Sequence, residues 1–323
     1  MISVNKRAAA IVEQMVADSE ALGLSITRLG NGATVIDAGI EVPGSLEAGR
    51  LFSCACLGGL GQVHFTQQAF GGEQGGDADF WLPAVAVSVS YPHIACMASQ
   101  YAGWAVKLDR HFYMGSGPAR ALAGEEEIFQ KLNYRDQAET AVLMLEGREL
   151  PGEEVAAFVA AKCGVQPGQL FLLVAPTASL VGSVQIAARA AEAGLHKMVQ
   201  LGFDVRWVTA AASLCPLAPV AEDDLGAMGR TNDAILYGGR AFYTVQADDA
   251  ELEEWIDRIP SCSSRDYGTP FLELFKRYNN DFYQMDPLFF SPAQVAINNV
   301  NSGRTFRAGR LNPSLLQASL LEG

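Results

Sequence analysis

Residues 169–202 read QLFLLVAPTASLVGSVQIAARAAEAGLHKMVQLG. Gln169–Ala175 is a short apolar run of strand length. Pro176-Thr177-Ala178-Ser179 then turns the chain, and a long helix follows from Leu180 to about Leu201, with Gly202 as its C-terminal stop. On a helical wheel Val181, Val184, Ala188, Ala191, Leu195 and Met198 recur at alternating spacings of three and four residues, which makes them the core-facing stripe. Gln185, Arg189, Glu192 and His196 form a second stripe within an arc of about 60°. That arc lies about 100° from the core face, an angle at which a stripe lines the edge of a cleft. An amide, a guanidinium, a carboxylate and an imidazole therefore stand one above another.

The flanking sequence alternates strands and helices. Ser3 caps a helix expected to run to about Leu22, with Gly23 beyond it. Ser25–Leu29 and Ala33–Asp37 read as strands about Gly30-Asn31-Gly32, a hairpin turn signal. A short helix starts at Ser45 and runs into the glycines after Cys56. Ala84–Ser90, His93–Ala98 and Thr140–Leu145 are expected strands, and Glu153–Cys163 is a helix stopped by Gly164. Beyond Pro216 a short acidic helix near Glu222–Met228 is followed by strands near Ala234–Tyr237 and Ala241–Val245. Asp248–Ile259 is an amphipathic helix, and residues 301–310 read as a hairpin or docking arm. Four glycines in residues 71–79 mark a mobile loop or a crossing between domains. The class is mixed α/β or α+β.

At 323 residues the chain suggests two domains or one large one. Its composition, 49% apolar and 18% charged, excludes a disordered chain. Net charge is −13, from 23 basic against 36 acidic residues, which argues against a nucleic-acid partner because such a partner needs a basic face. The apolar runs are strand-sized, so no membrane span is expected. The N-terminus lacks the pattern of a signal peptide, and the six cysteines read as free thiols, so the cytoplasm is the default compartment. Phosphate-loop, zincin and nucleophile-elbow motifs are absent, and Cys54-x-Cys56 has the wrong spacing for a zinc knuckle. No metal site is expected.

Arg189 and Glu192 stand three apart and can touch. As a plain surface ion pair they would contribute a few tenths of a kcal/mol. As a functional pair, the arginine orients a carboxylate that holds a water and exchanges protons with it. Two loops stand near such chemistry in α/β proteins. Pro176–Ser179 lies at a strand-to-helix junction, and Gly115-Ser116-Gly117 at another helix start offers backbone amides to an anion. Each also reads as an ordinary helix cap.

From the N-terminal helix to at least residue 245 the chain resembles the methenyltetrahydromethanopterin cyclohydrolase family. The motifs are Gly32-Ala33-Thr34-Val35-Ile36-Asp37, Gly115 through Leu122, Leu150-Pro151-Gly152-Glu153, Leu172 through Gln185, Gly229-Arg230-Thr231-Asn232-Asp233-Ala234 and Gly238-Gly239-Arg240. The resemblance implies a homotrimer, each subunit with two α/β domains and a cleft between them. Residues 1–80 with about 190–323 would form the larger domain, and about 81–189 the smaller. It implies a cytoplasmic enzyme of one-carbon metabolism, in methane formation or formaldehyde oxidation. The enzyme would add water to the cationic methenyl form of tetrahydromethanopterin and open the ring to a formyl derivative. No metal or redox cofactor is implied; the pterin is the substrate carrier. The family's catalytic arginine and glutamate map onto Arg189 and Glu192. Gln185 is read as an amide neighbour of the water from the wheel alone, and Thr177, Ser179, Ser116 and Arg120 as cleft residues for the pterin. Arg304, Arg307 and Arg310 read as a solvated basic edge, or as contacts for the carrier's acidic side chain or a neighbouring subunit. The rival reading is a non-catalytic pterin-binding or assembly protein of the same fold.

Overall fold

The computed structural model describes residues 2–71, 80–281 and 284–322. The glycine-rich stretch 71–79 lies outside the described residues except for Gly71. Twelve strands occur among the described residues, numbered in chain order: β1 (Ser25–Arg28), β2 (Thr34–Asp37), β3 (Gly61–Phe70), β4 (Phe80–Ser90), β5 (Trp104–Leu108), β6 (His111–Ser116), β7 (Ala141–Glu146), β8 (Leu170–Ala175), β9 (Val208–Pro216), β10 (Arg240–Val245), β11 (Gln294–Asn299) and β12 (Thr305–Gly309). They form two six-stranded mixed sheets, so the chain is of the mixed α/β class.

The chain divides into two compact units, Met1–Gln62 with His93–Gln185, and Val63–Pro92 with Ile186–Gly323. This differs from the expected grouping of residues 1–80 with 190–323. Strand pairing is the reason. β2 lies parallel to β8, with Thr34 opposite Phe171 and Asp37 opposite Val174, which builds the N-terminal segment into the middle of the chain. β4 pairs antiparallel with β9, Ala84 opposite Pro216 through Ser90 opposite Ala210, which draws that strand into the other unit.

The sheet of the first unit runs β1-β2-β8-β7-β6-β5. Its three central strands are parallel, and its outer strands are antiparallel. β8 is buried along nearly its whole length because both faces of the sheet are covered. Ile36, Met144 and Leu173 pack on one face with the helices Val4–Ala17 and Leu46–Cys56. Val35, Leu143 and Leu172 pack on the other with Ala119–Ala123 and Glu153–Cys163. The helix after β7 lies on this second face, whereas Val181, in the helix after β8, packs on the first.

The second unit's sheet runs β12-β11-β10-β9-β4-β3, with β10 and β11 parallel. The helix Ala190–Leu201 packs against β9 and β10. β10 shows the matching alternation: Ala241, Tyr243 and Val245 are buried, while Arg240 and Phe242 point outward. Residues 301–310, read as a hairpin or docking arm, supply the turn and second strand of a hairpin, β11 against β12.

Four local expectations fail, the first at the N-terminus, where the helix expected to reach about Leu22 is divided at Asp18 into Val4–Ala17 and Ser19–Leu22. His93–Gln100 is a wide-turned helix rather than a strand, and Tyr101 N–H donates to the Cys96 carbonyl five residues back, at 2.7 Å. Ala234–Gly238 is likewise helical, continuing from Asp224–Asp233. Both are short apolar runs buried along most or all of their length, and periodicity alone cannot separate such a run from a strand. The helix expected at 180–201 is broken into Leu180–Ala187 and Ala190–Leu201. All six cysteines are free thiols, five of them buried.

One polar network fixes the N-terminal helix. Asp136 Oδ2 accepts from both the backbone and side-chain nitrogens of Asn5 at 2.8 Å, Asn5 Nδ2 also donates to the Pro118 carbonyl, and Asn5 Oδ1 accepts from the amide of Val142 on β7. Asn5 is fully buried and Asp136 nearly so. Asp136→Ala strands buried donors, each costing about 1–3 kcal/mol. We expect the urea midpoint of that variant to fall clearly, while Asp136→Asn, which keeps one acceptor, loses less. Equal midpoints for wild type and Asp136→Ala would refute the role.

Candidate active site

The turn after β8 is built by its own side chains. Ser179 Oγ donates to the Pro176 carbonyl at 2.8 Å and accepts from Gly182 N–H at 2.9 Å, capping the helix Leu180–Ala187. Ser179 therefore acts as a cap. Thr177, also buried, donates from Oγ1 to Glu146 Oε1 at the end of β7.

Downstream, the six residues of the expected core stripe are all buried. Ala188 and Arg189 interrupt the helix just beyond the passage from the first unit into the second. Arg189 adopts φ −92° and ψ 0°, its N–H returns to the Ile186 carbonyl at 2.9 Å, and its own carbonyl accepts from Ala193 N–H. It is the N-terminal flanking residue of Ala190–Leu201, and Glu192 sits in that helix's first turn. Nothing local calls for this break: alanine and arginine are strong helix formers. The helix that follows it is held by packing. Within the second unit Tyr243 Oη donates to the Ala191 carbonyl at 2.9 Å, fixing the first turn against β10.

The break makes Arg189 and Glu192 a different pair from two residues on a solvated helix. Arg189 Nη1 lies 3.7 Å from Glu192 Oε2, with side chains 13% and 9% exposed. That distance is within ion-pair reach but longer than a hydrogen bond, so Arg189 acts on the carboxylate by charge and not as a bidentate clamp. Enclosure also removes the solvent screening that makes exposed pairs weak.

The rest of this helix is anchored by its other side chains. Lys197 Nζ, buried, donates to the Pro260 carbonyl and to Ser263 Oγ, both at 2.8 Å, and burial lowers its pKa to about 8. Burial lowers His196 to about 4, so its imidazole is neutral at physiological pH. A Cβ on Gly194 would lie 2.1 Å from Tyr243 Oη, so glycine is what admits that ring beneath the first turn. Gln185, on the first unit's side of the passage, is buried.

Two sequence-derived candidates take structural roles. The Arg120 guanidinium is wholly enclosed; it donates to Glu126 at 2.9 and 2.6 Å and to the carbonyls of Met97 and Ser99 at 3.1 and 3.0 Å. It also lies over the rings of Tyr101 and Phe129. These bonds engage Arg120 inside the first unit, where it pairs with the half-buried Glu126. Gly117 N–H donates to the Ser99 carbonyl at 2.8 Å, so that amide is engaged rather than presented to an anion. Ser116 is buried, with its Oγ 3.5 Å from Cys56 Sγ. Of the three tail arginines, Arg304 pairs with Asp249 and Glu253, while Arg307 and Arg310 are exposed and Arg307 lines a groove of about 390 Å³ on the outer face of the second sheet. Among the described residues no cluster of three histidine, cysteine or acidic side chains has the arrangement of a metal site, and no helix is long and apolar enough to cross a membrane.

Sequence reading missed Tyr243, whose role depends on the non-local packing of β10 under the helix. It also missed Glu146, although a lone carboxylate ending the apolar run Ala141–Leu145 is a visible signal.

A doubly sheeted α/β chain that encloses an arginine–glutamate pair at the start of a helix has the parts of a proton-transfer enzyme. A family model described as cyclohydrolase (MCH) matches residues 3–320, and this chain belongs to that family. It is 47% identical over 323 residues to the methenyltetrahydromethanopterin cyclohydrolase of Methanocaldococcus jannaschii, covering 99% of this chain and 98% of that one. It is 44% identical over 322 residues to the protein of that name from Methanothermobacter marburgensis, covering 99% of each.

Gly194→Ala should destabilise the protein by about 1–3 kcal/mol through overpacking. Removing the hydroxyl in Gly194→Ala/Tyr243→Phe should recover part of that loss in thermal unfolding; no recovery would refute the contact. His196 offers a second check. Below pH 6.5 an unfolded imidazole binds a proton that the folded one refuses until about pH 4. Its contribution to stability is therefore complete above pH 6.5 and is lost as pH falls toward 4. Asp233, raised to about 7 by burial, acts oppositely as pH rises through the same range. His196→Gln should make urea stability fall less steeply than in wild type between pH 6.5 and 4, and an unchanged slope would contradict the assignment.

Proposed function

We infer that this chain adds water to 5,10-methenyltetrahydromethanopterin and opens the imidazolinium ring to give the 5-formyl derivative, with Glu192 and Arg189 as the reacting pair. The observation that carries the residue assignment is the enclosure of both side chains, 13% and 9% exposed, at the N-terminal end of Ala190–Leu201. Family membership and relatives of that name along nearly the whole chain support the substrate.

The chemistry asks for little beyond this pair. The methenyl carbon already carries positive charge, so it accepts water without further activation. The water oxygen gives up both protons, the first on attack and the second as the adduct's hydroxyl becomes the formyl carbonyl; one ends on the ring nitrogen as the carbon–nitrogen bond breaks, and the other leaves to solvent with the cation's charge. One carboxylate placed between these positions serves both steps, Glu192 first as base and then as acid. Arg189 holds that carboxylate and limits its pairing with the cationic ring. Gln185 is proposed to help orient the water, an effect of position rather than charge. Thr177 belongs to the pterin-binding part of the same reading. The cleft and the homotrimer implied by the family resemblance also remain part of this proposal, the latter tested by solution mass.

The test follows the loss of methenyl-tetrahydromethanopterin absorbance with purified protein, beside the same assay with the tetrahydrofolate analogue. Fast loss with the methanopterin is expected. No loss with either carrier would overturn the proposal in favour of a binding role. Glu192→Gln should reduce turnover at least about a hundredfold with KM little changed. Turnover like that of wild type in this variant would remove Glu192 from the mechanism.

A further inference from the structure

The first unit contains a second carboxylate whose position the acid–base chemistry does not use. β7 and β8 are adjacent and parallel, Glu146 standing opposite Ala175. The helix that follows β7 covers one face of the sheet, and Val181, in the helix that follows β8, packs on the other. Where the exits of neighbouring parallel strands diverge in this way, a crevice opens at their C-terminal ends, and open α/β sheets bind ligands there. Glu146 is the last residue of β7 and Thr177 lies two residues past β8, so the pair stands at the C-terminal ends of these two strands.

The three parallel strands end differently. β2 ends in Asp37, which is 2% exposed and accepts N–H bonds from Gly39, Ile40 and Glu41 at 2.9, 2.7 and 2.8 Å. That carboxylate is committed to its own loop. The loop rests on the turn that carries Thr177, since a Cβ on Gly39 would lie 2.8 Å from Ser179 Cβ. Glu146 is exposed, and the buried Thr177 hydroxyl donates to one of its oxygens. A solvent-facing acceptor group is thus held in one orientation by a rigid neighbour.

We propose that Glu146, positioned by Thr177, receives the 2-amino-4-oxopyrimidine end of the pterin. That ring edge carries two adjacent N–H donors, N3–H and the exocyclic amino group. A carboxylate accepts both at once, as it does from a guanidinium. Glu146 is then a binding and specificity residue, and Thr177 a positioning residue that acts through it. The proposal rests on the pterin substrate argued above.

The experiment combines protein and ligand changes. Binding of 6-methyltetrahydropterin and of its 2-desamino analogue is measured by calorimetry, and KM and kcat for methenyl-tetrahydromethanopterin are measured in the same variants. Wild type should bind the amino compound at least about tenfold more tightly than the desamino one, the scale of a hydrogen bond to a charged group. Glu146→Gln should reduce that ratio to near unity and raise KM about tenfold or more, with kcat within about threefold of wild type. Glu146→Asp should lie between the two. Thr177→Val should raise KM, and Thr177→Ser, which keeps the hydroxyl, should restore it. Unchanged discrimination and KM in Glu146→Gln would overturn this proposal and leave the cyclohydrolase reading standing. A wild type that binds the pterin with the expected discrimination but does not turn over the methenyl compound would do the reverse.

Discussion

The parallel pairing of β8 between β2 and β7 is the constraint on which the first unit depends. A strand flanked on both sides and covered on both faces has no solvated edge, so its backbone groups must pair in one register. That register places Asp37, Glu146 and the Pro176–Ser179 turn at one end of the sheet. It also explains the assignment of the N-terminal segment: once Thr34–Asp37 is hydrogen-bonded to Phe171–Val174, residues far apart in sequence belong to one core.

Downstream of that strand the chain delivers a buried ion pair, and burial has a cost. Removing a carboxylate and a guanidinium from water costs several kcal/mol each before their attraction is counted, and well-packed apolar side chains often serve stability as well or better. The comparison of Arg120 with Arg189 separates two uses of such a pair. Arg120 is fully enclosed, meets Glu126 through two donors and meets two carbonyls through another, which is the geometry of a satisfied core pair. Arg189 Nη1 lies 3.7 Å from Glu192 Oε2, with side chains 13% and 9% exposed. Stability alone favours the first geometry. The second sets a carboxylate beside a guanidinium without a bidentate clamp, which suits a group that must exchange protons.

Much of this was legible from side-chain pattern. Glu153–Cys163 with Gly164, the hairpin at Gly30-Asn31-Gly32 and the stripe Val181 to Met198 are local signals, each decided by periodicity and by a stop or turn residue. The Arg189–Glu192 pairing was legible for the same reason, since three residues along a helix set neighbours regardless of the fold. What was not legible depends on partners distant in sequence. The break at Ala188–Arg189 contains no glycine or proline, and arises where the helix is held by Tyr243 from β10. Arg120 looked like a cleft residue because Glu126, Met97 and Ser99 converge on it only after folding. The helical segments at 93–100 and 234–238 are apolar runs whose burial is known only once the sheets exist.

The broken helix also bears on how precisely the pair is held. In one continuous rod, Glu192 would inherit its position from everything upstream, beginning at Ser179. The non-helical turn at Arg189 divides that dependence. Residues up to the turn take their place from β8 and its cap, while Glu192 takes its place from Tyr243 and Lys197, which bond Ala190–Leu201 to the second unit. The backbone hydrogen bonds of Arg189 itself, back to Ile186 and forward from Ala193, keep the turn defined without continuing the helix. An acid–base group works when it is preorganised by a shell whose own side chains are locked by packing. Gly194 is part of that shell in the simplest physical sense: it is the missing side chain that lets Tyr243 reach the carbonyl one residue before Glu192.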